Sequence, residues 1–537
     1  MAIHRGGGTW LPCLLLLLAP MGSAHADTLQ GTPFGGRSAA MGGVGIARGD
    51  DSAMPILNPA GVAIIPRSSI AVSASVYNAS IITVPHFNGD RPSTMSPLGP
   101  GEISQNGLAS TYILSTPTSL VGVLHLDGGE STHNLAASIT VPRNVGRKFL
   151  QSVDTSDNRL AGSMGTYTIR EDTTYILSSQ RYLLAGSYGY GAPRSDLGSL
   201  RLGASIIFSY APTLWTLSHK YRSFVGNAMD VQGEVSDQSF DSYSADLTGT
   251  LGAQLDLTGE WSVGLVVQAP SLHLDGNLKS TLSEQSFHGL SERLLSTRRT
   301  GDYTDGMPLR VGGGASFHVT SLLTLALDVT YYYSPEGRVE SKGTLTNSVV
   351  DVGQAPRQQT AAFDSHLPAK HLVNVAGGAD IMLTSRKHWL RAGAFSDFSN
   401  DLAVPGATGA TDAACMTAAP NETRCLGASH VLTFPFDRFG ITLGYGRKSG
   451  VVDSTIGVAT IIGSGSTARA SFDGTQLVYS RTDARTYDVL VFLTATIEVE
   501  DQKIKARELL KKEIDELKER VRTLEQGKPA QAAGAPP

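Results

Sequence analysis

The sequence predicts an all-β fold: a transmembrane antiparallel β-barrel of about fourteen strands, with an N-terminal hatch plug and a short C-terminal periplasmic helix. Three observations predict it. Apolar residues alternate with small or polar ones in stretches that recur from Ser68 almost to residue 499. The connections between these stretches are short on one side and long and polar on the other, as in barrels that cross a membrane. Charge is sparse: 17% of the 537 residues are Asp, Glu, Lys or Arg, and the net charge is −5, whereas a soluble domain carries about a quarter. No apolar run reaches the length of about twenty that a membrane helix needs.

Residues 1–26 read as a signal peptide. His4 and Arg5 begin it, Leu11 to Leu18 form a short apolar core, and Ala24-His25-Ala26 is a small-x-small cleavage site. Cys13 lies inside that core, away from a lipoprotein-type junction. Export leaves Cys415 and Cys425 in the mature chain, and in an oxidising compartment they are candidates for a disulfide closing a small loop. His430 alone does not complete a zinc site around them.

Residues 27–67 read as a hatch. Gly42, Gly43 and Gly61 permit close packing and positive φ, and Asn58-Pro59 starts a turn. Met41, Val44, Ile46, Ile56, Leu57, Val62, Ile64 and Ile65 would have no reason to sit on a free tail. The composition suits a compact, irregular plug nested against something larger.

Residues 68–499 read as the barrel. Its strands are expected at Ile70–Tyr77, Leu108–Leu114, Leu120–Leu126, Thr174–Tyr188 and Leu200–Tyr210, with a weaker one at Leu135–Val141. Thr116-Pro117-Thr118-Ser119 reads as the turn between the second and third. Leu251, Ala253, Leu255 and Leu257 then alternate with polar residues, and Trp261, Val263, Leu265 and Val267 repeat the pattern. Further strands are expected at Leu309–Val319, Leu323–Tyr332, Leu372–Leu383, Trp389–Phe398, Val431–Phe436, Phe439–Tyr445 and Tyr487–Ile497, with Asp437-Arg438 as a tight turn. Setting aside the weak one leaves about fourteen. Long polar connections are expected near 79–104, 211–240, 271–300, 334–366, 400–427 and 448–480. Gln254, Asp256, Gln268, Asp328, Asn374 and Asp380 are candidates for the lumen or the rims.

Residues 500–526 turn charged and helix-forming. Leu510, Ile514, Leu517, Val521 and Leu524 fall at a/d spacing, which suits self-association or a periplasmic partner through 501–526; a solvated helix, or one folded against the barrel base, is the plainer alternative. Residues 527–537 read as a disordered tail rich in Ala and Pro.

Gly35 to Pro66 resembles the N-terminal hatch of the outer-membrane long-chain fatty-acid transporter family, the FadL-type family that includes aromatic hydrocarbon channels. Arg37, Gly42-Gly43, Asp50-Asp51 and the Asn58-Pro59-Ala60 triplet carry the likeness. Fragments of the body, such as Leu251 to Pro270 and Leu390 to Phe395, resemble its Leu/Gly strand repeats. The resemblance implies a fourteen-stranded barrel plugged by its N-terminus in a Gram-negative outer membrane. It also implies uptake of hydrophobic compounds, long-chain fatty acids first, with release by hatch movement or a lateral wall opening. The hatch motif is then Asn58, Pro59, Ala60 and Gly61 with Gly42 and Gly43, and Phe34, Met41 and Arg391 are candidates for ligand contact. A structural or binding protein whose C-terminal helix organises a periplasmic complex, or a general diffusion porin, are the alternatives.

No motif points to an enzyme, a metal or a cofactor. Gly312-Gly313-Gly314 lacks the spacing of a nucleotide loop. The histidines are scattered, and the mild acidity argues against nucleic acid.

Overall fold

Strands with one apolar face, set in lipid, must close on themselves, because an open edge would leave backbone amides and carbonyls without partners. The computed structural model describes residues 34–84, 108–128, 131–157, 167–192, 198–225, 231–257, 260–288, 291–333, 339–367, 371–383, 387–399, 436–472, 477–499, 513–518 and 522. Its strands are β1 (Ser69–Val84), β2 (Leu108–Gly128), β3 (Ser131–Asp157), β4 (Tyr167–Gly191), β5 (Ser199–Val225) and β6 (Val231–Leu257). There follow β7 (Trp261–Gln268), β8 (Leu272–His288), β9 (Ser291–Asp305), β10 (Leu309–His318), β11 (Leu323–Tyr333) and β12 (Val339–Asp351). The last six are β13 (Arg357–Leu367), β14 (Leu372–Met382), β15 (His388–Asp397), β16 (Phe436–Ser449), β17 (Val452–Phe472) and β18 (Leu477–Glu498).

Fourteen of these form a closed antiparallel ring. β1 to β7 follow one another, β7 pairs with β10, β11 with β14, and β18 returns to β1. The other four leave the ring. β8 adds to the upper part of β6, β9 to β8, β12 to β9 and β13 to β12, so the wall rises on this side into a crown. Its sequences, such as Lys279-Ser280-Thr281 and Arg357-Gln358-Gln359-Thr360, are polar on both faces.

On β5, Leu200, Leu202, Ile206, Phe208 and Tyr210 point outward, while Ser205, Ile207 and Ser209 point inward and are buried. Ten residues at about 3.3 Å each, tilted by about 40°, make a band about 25 Å tall, the height of an apolar belt in lipid. Ile206 and Leu251 at its middle are each 67% exposed. Tyr188, Trp261 and Tyr445 mark the short-turn end of the belt and Tyr77, Tyr210 and Tyr487 the other, as aromatic girdles do.

Several expected boundaries differ. Thr116 to Ser119 is no turn: β2 runs through it, pairing with β1 from Leu108 to Val123. Pro117 is tolerated there because it lies just past the last β2–β3 pair, where a missing N–H breaks no ladder bond on that side. Asp437-Arg438 is no turn either; both sit in β16, opposite Ser464 and Gly463, and Arg438 lies 3.7 Å from Asp397. The weak strand at Leu135 is real and long. Segment 448–480, read as a loop, holds β17, whose outward Ile456, Val458 and Ile462 are spaced by glycine and threonine that dilute the apolar signal. The expected loops at 211–240, 271–300 and 334–366 are largely hairpins. Segment 400–427 lies outside the described residues, as do residues 1–33. At the C-terminal end, 513–518 and 522 are helical.

The belt has a direct test. Ile206→Arg, at its midplane, should destabilise the barrel by about 2–4 kcal/mol in lipid-vesicle refolding. Ser283→Arg on the crown should stay within about 0.5 kcal/mol.

Candidate functional site: the hatch, its seat and a gap in the wall

The hatch folds from local rules. It holds two short helices, α1 (Arg37–Ala40) and α2 (Met54–Leu57), and a 3-10 turn over Pro59–Ile64. Asn58 is extended and caps the 3-10 turn: its Oδ1 accepts from the Ala60 N–H at 3.1 Å. Pro59 opens the turn where no amide is needed. The Asn58 Nδ2 donates to the Ile46 carbonyl at 2.7 Å, which ties the two halves of the hatch together. Ala60 is fully buried. A side chain on Gly61 would meet the Gly49 carbonyl and Met54 Sδ at 2.6 Å. Gly42 and Gly43 follow α1 at φ +76° and +88°, a conformation that favours glycine, and a Cβ on Gly42 would lie 2.9 Å from the Ala394 backbone. Arg37 pairs with Asp50 at 3.2 Å, and the Asp51 carboxylate accepts from the Ser38 and Ala53 amides at 2.7 and 3.0 Å. Burial pushes the Asp51 carboxyl up despite those hydrogen bonds.

The wall is shaped to receive this plug. Gly189, Gly203, Gly252, Gly264, Gly378, Gly393 and Gly444, on seven different strands, each face hatch atoms where a Cβ would collide. All lie within six residues of the short-turn end of their strands, so the hatch sits at that end. Polar wall side chains then satisfy the hatch backbone. Asp328 accepts from the Gly45 and Ile46 amides at 2.7 and 2.9 Å. Arg310 donates to the Ile56 and Leu57 carbonyls, and Asn134 to those of Val62 and Ile65. Gln254 reaches the Ile46 carbonyl, Thr442 that of Ala40 and Thr494 that of Gly35.

Above the hatch the lumen is layered, as β4 and β5 show side by side. Gly189 and Gly203 seat the hatch, and Ser205 donates to the Pro55 carbonyl at 2.8 Å. Next come Leu183 and Ile207, which pack with Phe34 and Ile56 of the hatch and with Met307 into an apolar roof. Then follows a charged layer: Arg181 and Arg143 both approach Asp305, at 2.9 and 3.4 Å. Highest is an aromatic layer of Tyr175, Trp215 and Phe436, with Phe240 stacked on Trp215. Below the hatch the character reverses. Arg37, Arg48, His318, Asp380 and Trp389 line an open vestibule of about 460 Å³ toward the short turns.

The wall itself is not continuous. The β2–β3 ladder runs from Gly128 and Ser131 up to Ser119 and Thr140. Above that, β2 continues on β1 and β3 continues on β4, but among the described residues no β2–β3 pair is made. Pro142 sits at the β3 bulge between Thr140 and Arg143. The split begins about 20 Å above the short-turn end, still within the belt.

Of the sequence-derived candidates, Asn58, Pro59, Ala60, Gly61, Gly42 and Gly43 sit together in the hatch and its seat. Phe34 is in the apolar roof. Met41 instead packs against Ala376 and Phe395 at the wall. Arg391 faces the lumen, but the carboxylate it meets is Asp380, at 3.3 Å, alongside Thr455 at 2.8 Å. Arg37 shares Asp380 at 3.1 Å. Cys415 and Cys425 lie outside the described residues. Gln254, Gln268, Asp328, Asn374 and Asp380 are all buried inside the wall. Sequence reasoning missed Arg310, Asn134, Arg143, Arg181 and the seating glycines. The glycines alone left a signal, recurring on the strand face opposite the leucines.

No protein-family model matches the chain, and no curated protein sequence matches it. Its fold does have solved counterparts. A Pseudomonas aeruginosa FadL homologue aligns with 89% of this chain and 100% of its own, at TM-score 0.50 and 12% identity. The P. putida toluene transporter TodX aligns over 87% and 99%, at TM-score 0.52 and 14% identity. The fold is the FadL-type fold.

The seat can be tested with matched glycines. Gly252→Val should unseat the hatch and open a conductance in planar bilayers, whereas Gly313→Val, whose Cβ meets nothing within 4 Å, should leave the channel closed. Asn58→Ala combined with Gly61→Val should raise passive leak, and unchanged recordings would show the turn to be dispensable.

Proposed function

We propose that this chain is an outer-membrane channel for the uptake of hydrophobic compounds, long-chain fatty acids first among them. One observation carries the reading: an apolar roof lies on a sealed hatch, within a barrel whose wall splits just above it. Roof and aromatic layer offer an apolar ligand two successive stations. Each CH₂ that leaves water gains roughly 0.8 kcal/mol, so an acyl chain has reason to descend to the roof. The hatch, filled and tied on all sides, speaks against a general diffusion porin. Release follows either hatch movement or passage through the β2–β3 split. The likeness to a toluene transporter keeps aromatic hydrocarbons as the second substrate class to test.

The charged layer favours an acid over a hydrocarbon. Arg143 and Arg181 converge on the Asp305 carboxylate between the two apolar layers, where a fatty-acid head group would find the same guanidinium chemistry.

Labelled oleate and labelled toluene, offered to a transporter-deficient Gram-negative strain, test both statements. Expression should raise oleate uptake; no gain, with the protein present in the outer membrane, would defeat the reading. Arg143→Gln should lower oleate affinity about tenfold, the loss of one charge-assisted hydrogen bond, and spare toluene. An equal fall for both would remove the head-group role.

A further inference from the structure

One lumen-facing row carries more polar groups than it has partners for. Thr250 on β6, Gln268 on β7, Arg310 on β10 and Tyr332 on β11 stand directly opposite one another in register. Adjacent members are therefore about 5 Å apart at Cβ. All are buried, none more than 2% exposed. Thr250 Oγ1, both ends of the Gln268 amide, Arg310 Nε and the Tyr332 hydroxyl meet no hydrogen-bond partner. Buried polar groups are nearly always met, so a whole row of such atoms calls for a ligand.

The centre of the row fixes the charge of that ligand. Arg310 Nη2 donates to the Ile56 and Leu57 carbonyls of the hatch, but among the described residues no carboxylate pairs with the guanidinium. A buried charge needs an opposite charge beside it, and two carbonyl dipoles do not supply one. The Tyr332 hydroxyl is close enough to interact with that charge. The groups on either side of Nε can donate as it does: a phenol O–H from Tyr332 and an amide NH₂ from Gln268. Gln268 can turn its NH₂ toward an anion without giving up a bond, because neither end of the amide is engaged.

We propose that Arg310, Gln268 and Tyr332 bind one small monovalent anion, a halide such as chloride, on the wall beside the hatch. One guanidinium balances one negative charge, which disfavours sulfate and phosphate. Side chains this enclosed suit an ion better than a molecule with a chain attached. The anion holds the guanidinium where it ties Ile56 and Leu57, so halide binding and the seating of the hatch are linked. The site is distinct from the charged layer above, where Arg143 and Arg181 already share Asp305. It is independent of what the channel carries.

Crystals of the full-length protein grown in sodium bromide test the site directly. An anomalous bromide peak should lie in hydrogen-bonding contact with Arg310 Nε and with Gln268 or Tyr332. Melting of the detergent-solubilised protein is read alongside, in chloride, bromide and gluconate at equal ionic strength. Tm should rise with halide concentration and not with gluconate. Tyr332→Phe, which leaves the hatch ties in place, should raise the halide concentration needed for the same shift about tenfold, the loss of one charge-assisted hydrogen bond. Gln268→Leu should act in the same direction, and Arg310→Met, where it folds, should abolish the halide dependence. A bromide peak whose effect on Tm survives Tyr332→Phe and Gln268→Leu unchanged would mark an adventitious ion only. That outcome, no peak at all, equal stabilisation by gluconate, or displacement of bromide by oleate would each overturn the proposal.

Discussion

The whole arrangement depends on satisfying an irregular backbone at membrane depth. The hatch has only short helical turns, so several of its amides and many of its carbonyls find no partner within it. Inside a barrel sheathed in lipid they must be met by the wall. Asp328, Arg310, Asn134, Gln254, Thr442 and Thr494 do this from six strands around the ring. Such contacts need the backbones close together, and the wall glycines supply the room. Seat and ties are thus one device. A larger side chain at Gly203 or Gly252 would remove hydrogen bonds by displacing their partners, without touching the polar residues themselves.

The broad fold was legible because lipid imposes one rule on every strand it touches. Leu251 to Leu257 and Trp261 to Val267 obey it plainly. The strand total came out right although some strands did not. Two turns were read into β2 and β16, a doubtful strand proved to be β3, and β17 passed unseen, so the errors offset. Their cause is physical: proline and paired charges mark turns, but they also mark bulges and places where a strand emerges from lipid. Above the belt the rule lapses. β8, β9, β12 and β13 bury only a small cluster, Leu278, Tyr303 and Phe363, and they leave no continuous apolar stripe to find.

That residues 34–65 pack against a larger structure was legible from composition, because glycine, small residues and an Asn-Pro turn have few other uses beside so many buried aliphatics. Their partners were not. Asp328 lies 283 residues from Gly45 and Arg310 254 from Ile56, and nothing local to either residue announces a backbone partner. A buried polar residue on a lumen-facing position says only that something must meet it.

The two exits on the proposed path differ in what they require. Passage below the hatch means parting several wall-to-hatch hydrogen bonds, each worth about 1 kcal/mol net and more if a partner is left buried and unmet. It also delivers an apolar ligand into a vestibule lined by Arg37, Arg48 and Asp380, where apolar surface is least welcome. Passage between β2 and β3 parts no ladder bond, since none is made above Ser119 and Thr140 among the described residues, and it leads toward lipid. The three interruptions of regular pairing near it, at Pro117, at Pro142 and at the β1 bulge between Ser75 and Tyr77, cluster on one side of the barrel. On the proposed path, ladders relaxed beside an apolar roof, between β2 and β3 among the described residues, would favour sideways release, and the hatch would then serve chiefly to make the ligand stop at the right height.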